Sequence, residues 1–167
     1  MPNIMNFTIE EIKKEGFKGF KTMRELLNNA SVIPKMRGVY MVLNLSKEKE
    51  FLSVGTGGYF KGKNPNVSIQ ELENNWIEDA IVVYIGKAGG DGSSATLQKR
   101  LGQYLRFGQR KDVGHYGGRF IWQLKNSSDL VVCWKELPTE NPRAVEADLI
   151  QQFILQYFKR PFANLTD

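Results

Sequence analysis

Two short runs constrain this chain more than anything else in it. Gly38-Val39-Tyr40-Met41-Val42-Leu43 and Ile81-Val82-Val83-Tyr84-Ile85 are dense in β-branched and aromatic residues and read as strands. Helical signals surround them. Thr8 with Glu11 and Thr22 with Glu25 fit the Ser/Thr-x-x-Glu capping box, predicting two short helices separated by Gly16 and Gly19. Ser68 with Glu71 predicts a third, carrying Ile69, Leu72 and Trp76. A helix from about Thr96 places Leu97, Leu101, Tyr104 and Leu105 on one side. Asn141 as cap and Pro142 in the first turn predict a last helix through Phe158, stopped by Pro161. Arg119–Leu124 and Leu130–Trp134 are expected to be further strands, and Phe51–Val54 could extend another. Strands interleaved with helices, without repeat or linker in 167 residues, describe one small α+β domain over 1–167.

Composition removes several classes. With 41% hydrophobic and 25% charged residues the chain is neither disordered nor fibrous. No apolar run approaches the roughly 20 residues that span a bilayer. The opening MPNIMNFTIEEIKK lacks a basic stretch followed by an apolar one. A soluble, cytoplasmic protein without a membrane partner is therefore expected. One cysteine, Cys133, forms no internal disulfide, and one histidine, His115, builds no zinc cluster. Gly86-Lys87 resembles the end of a P-loop, but Ala88 stands where Ser or Thr would bind magnesium.

Charge supplies the first positive clue. The chain has 23 Lys+Arg against 18 Asp+Glu, a net of +5. Lys99, Arg100, Arg106, Arg110, Lys111 and Arg119 lie between Thr96 and Arg119 with only Asp112 against them, so the whole excess is local. A concentrated basic segment suits a phosphate-bearing partner, although a solvated basic face looks the same. Glu146, with Ile150, Phe153 and Tyr157 at +4, +7 and +11, shares a face with the apolar stripe of the last helix. A carboxylate aimed at a core needs a partner, unless it serves only the helix N-terminus. Arg100 and Tyr104, four apart, are neighbours on the basic helix.

Taken in order, these residues resemble the GIY-YIG nuclease superfamily. Gly38-Val39-Tyr40 stands for the first element and Tyr84-Ile85-Gly86 for the second; Arg100 with Tyr104 four residues later, Glu146 on a later helix and Asn164 in the loop beyond complete the pattern. The resemblance covers about Gly38 to Asn164. It implies a small three-stranded, mostly antiparallel sheet flanked by helices, with the tyrosines together on one face. It also implies hydrolysis of a nucleic-acid phosphodiester, DNA rather than RNA, with one Mg²⁺ or Mn²⁺ per site on Glu146. Such an ion prefers hard oxygen ligands and keeps most of its waters. Arg100, a planar and permanently charged fork, would grip the phosphate. Tyr40 would orient or deprotonate the attacking water, and its ordinary pKa of about 10 makes it a poor base unless cations depress it. Tyr84 and Tyr104 would hold that hydroxyl, the water or the phosphate, and Asn164 would steady the loop region of Glu146. Lys87, directly after the second element, could meet the same phosphate.

The chain departs from the pattern in three places. Residues 41–83 separate the two elements, so about 45–79 form an insertion, and residues 1–36 form an N-terminal helical extension. His115-Tyr116-Gly117-Gly118-Arg119 with Trp122 lies outside the motif, and His115 and Arg119 join Lys87, Arg106, Arg110 and Lys111 as candidate nucleic-acid contacts. Such an HYGGR-x-x-W segment is also similar to bacterial and phage members of the superfamily. There is no room for a large DNA-binding domain, which suits a stand-alone restriction-like or mobile-element enzyme. Cutting both strands of a duplex with one site per chain favours a homodimer. The rival readings are a non-catalytic nucleic-acid-binding module that keeps the fold and a plain α+β interaction protein.

Overall fold

The computed structural model of the protein describes residues 5–165; residues 1–4, on which the reading of the N-terminus partly rests, and 166–167 lie outside the described residues. Four antiparallel strands form one sheet in the order β1-β4-β2-β3. The two apolar runs become the inner strand β2 (Gly38–Leu43) and the edge strand β3 (Val82–Ala88). On the other side of β2 lies β4 (Val131–Glu136), and β1 (Lys18–Thr22) closes the far edge. The sheet thus has one strand more than the three the resemblance implies, and Lys18–Thr22 is a strand where a break between helices is expected. It carries two lysines, is only partly covered, and bends at Phe20, whose φ is 54°. Short, charged and bulged is how a protein protects a sheet edge, and it erases the alternation by which strands are recognised.

The helices follow their caps. Thr8, Thr22, Ser68, Thr96 and Asn141 each accept a backbone N–H at the start of α1 (Ile9–Lys14), α2 (Met23–Asn28), α3 (Ile69–Asn75), α4 (Leu97–Phe107) and α5 (Pro142–Tyr157). At Thr22 the reciprocal capping box with Glu25 is complete. Phe158 does not continue α5. Its φ of 66° ends the helix and leaves the ring 87% exposed.

The expected strand Arg119–Leu124 is instead part of a 3₁₀ stretch, Tyr116–Gln123. Phe120, Ile121, Trp122 and Gln123 are all buried, and a continuous apolar run signals burial without fixing the backbone. Its carbonyls serve the 45–79 insertion, since the Leu52 N–H donates to Gln123 O at 2.7 Å and that of Thr56 to Trp122 O at 3.1 Å. The buried Gln123 amide adds bonds to Leu52 O and to both backbone groups of Val67. Phe51 makes only an isolated bridge, to Leu124. Trp76 packs with Phe51 and Phe162 at centroid distances of 5.8 and 5.2 Å, so the insertion is built into the core.

Strand alternation splits that core in two. Val39, Met41, Leu43, Ile85 and Cys133 face α1 and α5. Tyr40, Val42, Val132 and Trp134 face α2, α4 and the 3₁₀ stretch. The tyrosine side also holds the residues singled out in the sequence, Tyr40, Tyr84 and Tyr104. No helix among the described residues is long and apolar enough to cross a membrane.

Candidate active site

At the open edge of the sheet beside β3, a cavity of about 340 Å³ is lined by Tyr40, Tyr84, Lys87, Arg100, Gln103 and Glu146, with Ala88, Gly89, Ser93 and Ala95 at its rim. β2 and β3 supply the tyrosines and Lys87, α4 supplies Arg100 and Gln103, and α5 supplies Glu146. Two larger cavities exist, of about 470 and 550 Å³. The first lies between α1 and α5 and holds none of the candidate catalytic or nucleic-acid-binding residues; the second holds Arg106 and Lys99.

Each position has a local cause. Tyr40 pairs with Gly86 across β2 and β3, and its ring lies directly over that glycine. A Cβ at Gly86 would sit 2.3 Å from the Tyr40 ring, so only glycine admits the tyrosine there. Asn164 grips the same strand. Its Oδ1 accepts from Ile85 N–H and its Nδ2 donates to Ile85 O, both at 2.9 Å. It therefore braces β3 between Tyr84 and Gly86, rather than steadying the Glu146 loop as expected. Glu146 is fixed differently: Asp91 in the loop after β3 accepts from Asn141 at 3.1 Å and from Arg143 at 3.4 Å, tying that loop to the start of α5.

A buried aromatic stack forms the floor. Tyr40 Oη lies 2.7 Å from His115 Nε2, and the His115 ring stacks on Tyr104 with centroids 3.6 Å apart and planes 5° from parallel. Tyr104 in turn donates to Gly118 O at 2.6 Å. A Cβ on Gly118 would meet that hydroxyl at 2.4 Å, which explains a glycine here. Arg100 donates to Gly114 O at 2.7 Å and to Gln103 Oε1 at 3.2 Å, so one guanidinium edge holds the loop before His115.

Burial dominates the electrostatics. It pushes Tyr40 and Tyr104 well above the ordinary tyrosine value and Tyr84 up to about 12; Arg100 opposes all three shifts but does not reverse them. Tyr84, and after it Glu146, add to the upward shift on Tyr40. The cationic depression that would make Tyr40 a base is overcome, and the phenol stays protonated at neutral pH. Burial, then Arg100, drives His115 well below its usual value, so its imidazole is neutral. Glu146 is raised by burial against the pull of Lys87, Arg100 and Arg143.

Apart from Arg100, the charged lining makes no hydrogen bonds to described residues. Neither Glu146 nor Lys87 makes a hydrogen bond or ion pair with any described residue. A half-buried carboxylate that accepts no hydrogen bond from a described residue suits a hard cation. No three His, Cys, Asp or Glu side chains cluster as metal ligands among the described residues. Glu146 alone could hold an ion, which would then keep waters or take oxygens from a bound anion.

The other candidates fall into two groups. Arg106 is exposed and shares the 550 Å³ groove with Lys35 and Lys99; Arg110 and Lys111 are exposed just past α4. His115 is not on the surface: at 1% exposure it cannot reach a duplex directly, which corrects its expected place among the contacts. Arg119 is half-buried, with its guanidinium 4.1 Å over the Tyr116 ring. Sequence reasoning did not pick out Gln103, although its place three residues after Arg100 on the same helix was legible. It also gave no sign that His115 and Tyr40, 75 residues apart, would meet. Searches of protein-family models, of curated proteins and of solved structures found no match to this chain.

Proposed function

We propose that this chain is a metal-dependent endonuclease of the GIY-YIG type, hydrolysing phosphodiester bonds in nucleic acid, with double-stranded DNA as its substrate. The observation that carries the reading is the convergence of Tyr40, Tyr84, Arg100 and Glu146, drawn from four elements, on one cavity with Lys87. A core alone has no need to place an unpaired carboxylate beside two cations and two protonated phenols.

Each side chain has a task. Arg100 and Lys87 bind the scissile phosphate, Arg100 with the guanidinium edge not engaged by Gly114. Tyr40, protonated, orients the attacking water by hydrogen bonding, and Tyr84 holds that geometry from the neighbouring strand. Glu146 would hold Mg²⁺ or Mn²⁺, one ion per site, together with oxygens of the substrate. When bound, that ion offsets charge on the phosphate and on the departing oxygen. Exposed Arg106, Arg110 and Lys111 extend the positive surface along the nucleic-acid backbone. One site per chain makes a homodimer the natural arrangement for cutting both strands, and light scattering at working concentration tests this.

The direct test incubates purified protein with supercoiled plasmid in Mg²⁺ or Mn²⁺, beside Glu146→Ala. Metal-dependent nicking or linearisation, lost in the variant, is the expected result. Salt-sensitive binding without cleavage, equal in both proteins, would instead identify a non-catalytic nucleic-acid-binding module. Equal cleavage by both would remove Glu146 from the site.

A further inference from the structure

We propose that His115 is the proton acceptor of Tyr40, so that the pair, and not the phenol alone, draws the proton from the attacking water; this rests on the nuclease reading above. The residue lies outside every motif position of the pattern that suggested that reading.

The geometry is specific. The Tyr40 hydroxyl and His115 Nε2 are 2.7 Å apart, and both residues are 1% exposed, so no bulk water competes for the bond. The imidazole cannot turn away, because Tyr104 stacks flat against it. Arg100 holds the Gly114 carbonyl just before it, and Tyr104 holds the Gly118 carbonyl just after. Three contacts from α4 thus fix a ring carried on a glycine-containing loop.

The chemistry follows from protonation. A phenol that keeps its proton can take another from water only by passing its own onward. Its hydroxyl has two polar neighbours, the Tyr84 hydroxyl and the neutral Nε2 of His115, and of these the imidazole nitrogen is the stronger base. That assignment puts the resting ring proton on Nδ1, which is buried and makes no hydrogen bond of ordinary geometry, its weak interaction being with the residue's own backbone carbonyl. In the step, the water oxygen bonds to phosphorus as one of its O–H bonds breaks. That proton passes to Tyr40 Oη while the Tyr40 proton moves to His115 Nε2. The electron pair of the breaking P–O bond leaves with the departing oxygen, which takes a proton from solvent. The imidazolium later returns its proton through Tyr40 to solvent. Arg100 from α4 opposes that positive charge, and the incoming phosphate, with Glu146 from α5, offsets it; Tyr84 from β3 and Tyr104 from α4 complete the surroundings and stay neutral.

Because His115 is the only histidine, two measurements decide the matter. In ¹⁵N-histidine-labelled full-length protein at pH 7, long-range proton–nitrogen spectra should show Nδ1 protonated and Nε2 bare, with the Nε2 signal shifting in a folded Tyr40→Phe variant. A ring protonated on Nε2, or on both nitrogens, overturns the proposal. In cleavage assays, His115→Gln keeps a hydrogen-bond acceptor but cannot hold the proton. It should lose on the order of 10²-fold in kcat with KM unchanged, and adding it to Tyr40→Phe should cost nothing further. Full activity in folded His115→Gln overturns the relay. A wild-type chain that cuts nothing overturns the nuclease reading instead, and the tautomer then still decides which partner holds the proton.

Discussion

The two faces of the sheet are built from the same strands and to different ends. Against α1 and α5 the strands present Val39, Met41, Leu43, Ile85 and Cys133, a layer without a carboxylate, a base or a hydroxyl. Against α4, one residue along in each strand, they present Tyr40 beside Val42, with Tyr104 and His115 stacked over them and Arg100 at the edge. The first face gains stability from area removed from water. The second buries hydroxyls and an imidazole, polar groups that are costly to place out of water. A fold that needed only a core would have filled both faces alike. The contrast supports placing the proposed activity on the tyrosine side, and each prediction below is a way to sharpen or break it.

The largest effect should come with alkali. Tyr40, Tyr84 and Tyr104 all have folded-state pKa values above the ordinary value of about 10, so above that pH the unfolded chain sheds protons first. Their stability contribution is intact below about pH 10 and falls, as pH rises toward the folded values, by about 1.4 kcal/mol per pH unit for each tyrosine. The opposite face contributes Cys133, pushed up to about 12 by burial, and Tyr157, raised to a lesser degree. Urea unfolding between pH 9.5 and 11.5 should therefore show a steep decline. Tyr104→Phe should flatten it by about one tyrosine's share, and an unchanged slope would refute the buried-phenol account.

Next comes a pair of substitutions meant to separate the faces. Met41→Ala opens a cavity on the apolar face and should cost about 2–5 kcal/mol of stability, while cleavage per folded molecule stays at the wild-type rate. Arg100→Lys should do the reverse. It keeps a charge but loses the fork, lowering cleavage by about 10²–10³-fold, with about 1 kcal/mol lost through the Gly114 bond. If the two variants showed the same ratio of activity loss to stability loss, the division of labour between faces would be wrong.

A smaller effect is expected at the contact that sets Tyr40 in place. Gly86→Ala drives a methyl into the Tyr40 ring, and overpacking of this kind costs about 1–3 kcal/mol. In a domain of this size the melting temperature should fall by about 2–4 °C for each kcal/mol. A variant melting with the wild type would mean the ring has room to move and is not held by β3.

How much of this was legible in the residues differs along the chain. Every α-helix has a side-chain cap, and four of the five were legible from it because an Ncap hydroxyl or amide bonded two or three residues ahead is a local event; α4 was legible from its apolar spacing instead. β2 and β3 were legible because buried strands concentrate β-branched residues. β1 was not, since a charged, bulged edge strand exists only through its pairing with β4. The 3₁₀ stretch misled for the opposite reason: Phe120, Ile121 and Trp122 report burial, and burial is shared by helix, strand and turn. Among the site residues, Tyr40, Tyr84, Arg100 and Glu146 were picked out by their order and do line one cavity. His115 looked like a surface contact because a glycine-flanked histidine in a basic segment usually is one. Its stacking on Tyr104 and its bond to Tyr40 depend on contacts 11 and 75 residues distant, which no local pattern encodes.

The smallest prediction turns on that same residue. His115 is held neutral by burial and by Arg100, so its folded pKa lies well below the roughly 6.5 of an unfolded chain. Below about pH 6.5 the unfolded state binds the extra proton first. Stability should thus be complete above that pH and fall by about 1.4 kcal/mol for each unit of acidification until the folded value is reached. Glu146 runs the other way, because a carboxyl raised by burial takes its proton earlier in the folded state and returns stability as pH falls toward its ordinary value. Glu146 acts on the acid side of this range, so the histidine is best isolated just below its ordinary value, between about pH 6.5 and 5.5. Urea midpoints there should slope in the wild type and lie flat in His115→Gln, since no second histidine can substitute for it. A slope that survives the substitution unchanged would mean that other groups carry it and that the folded and unfolded pKa values of His115 coincide, so burial would not hold the ring neutral and the proposed acceptor role would lose its support.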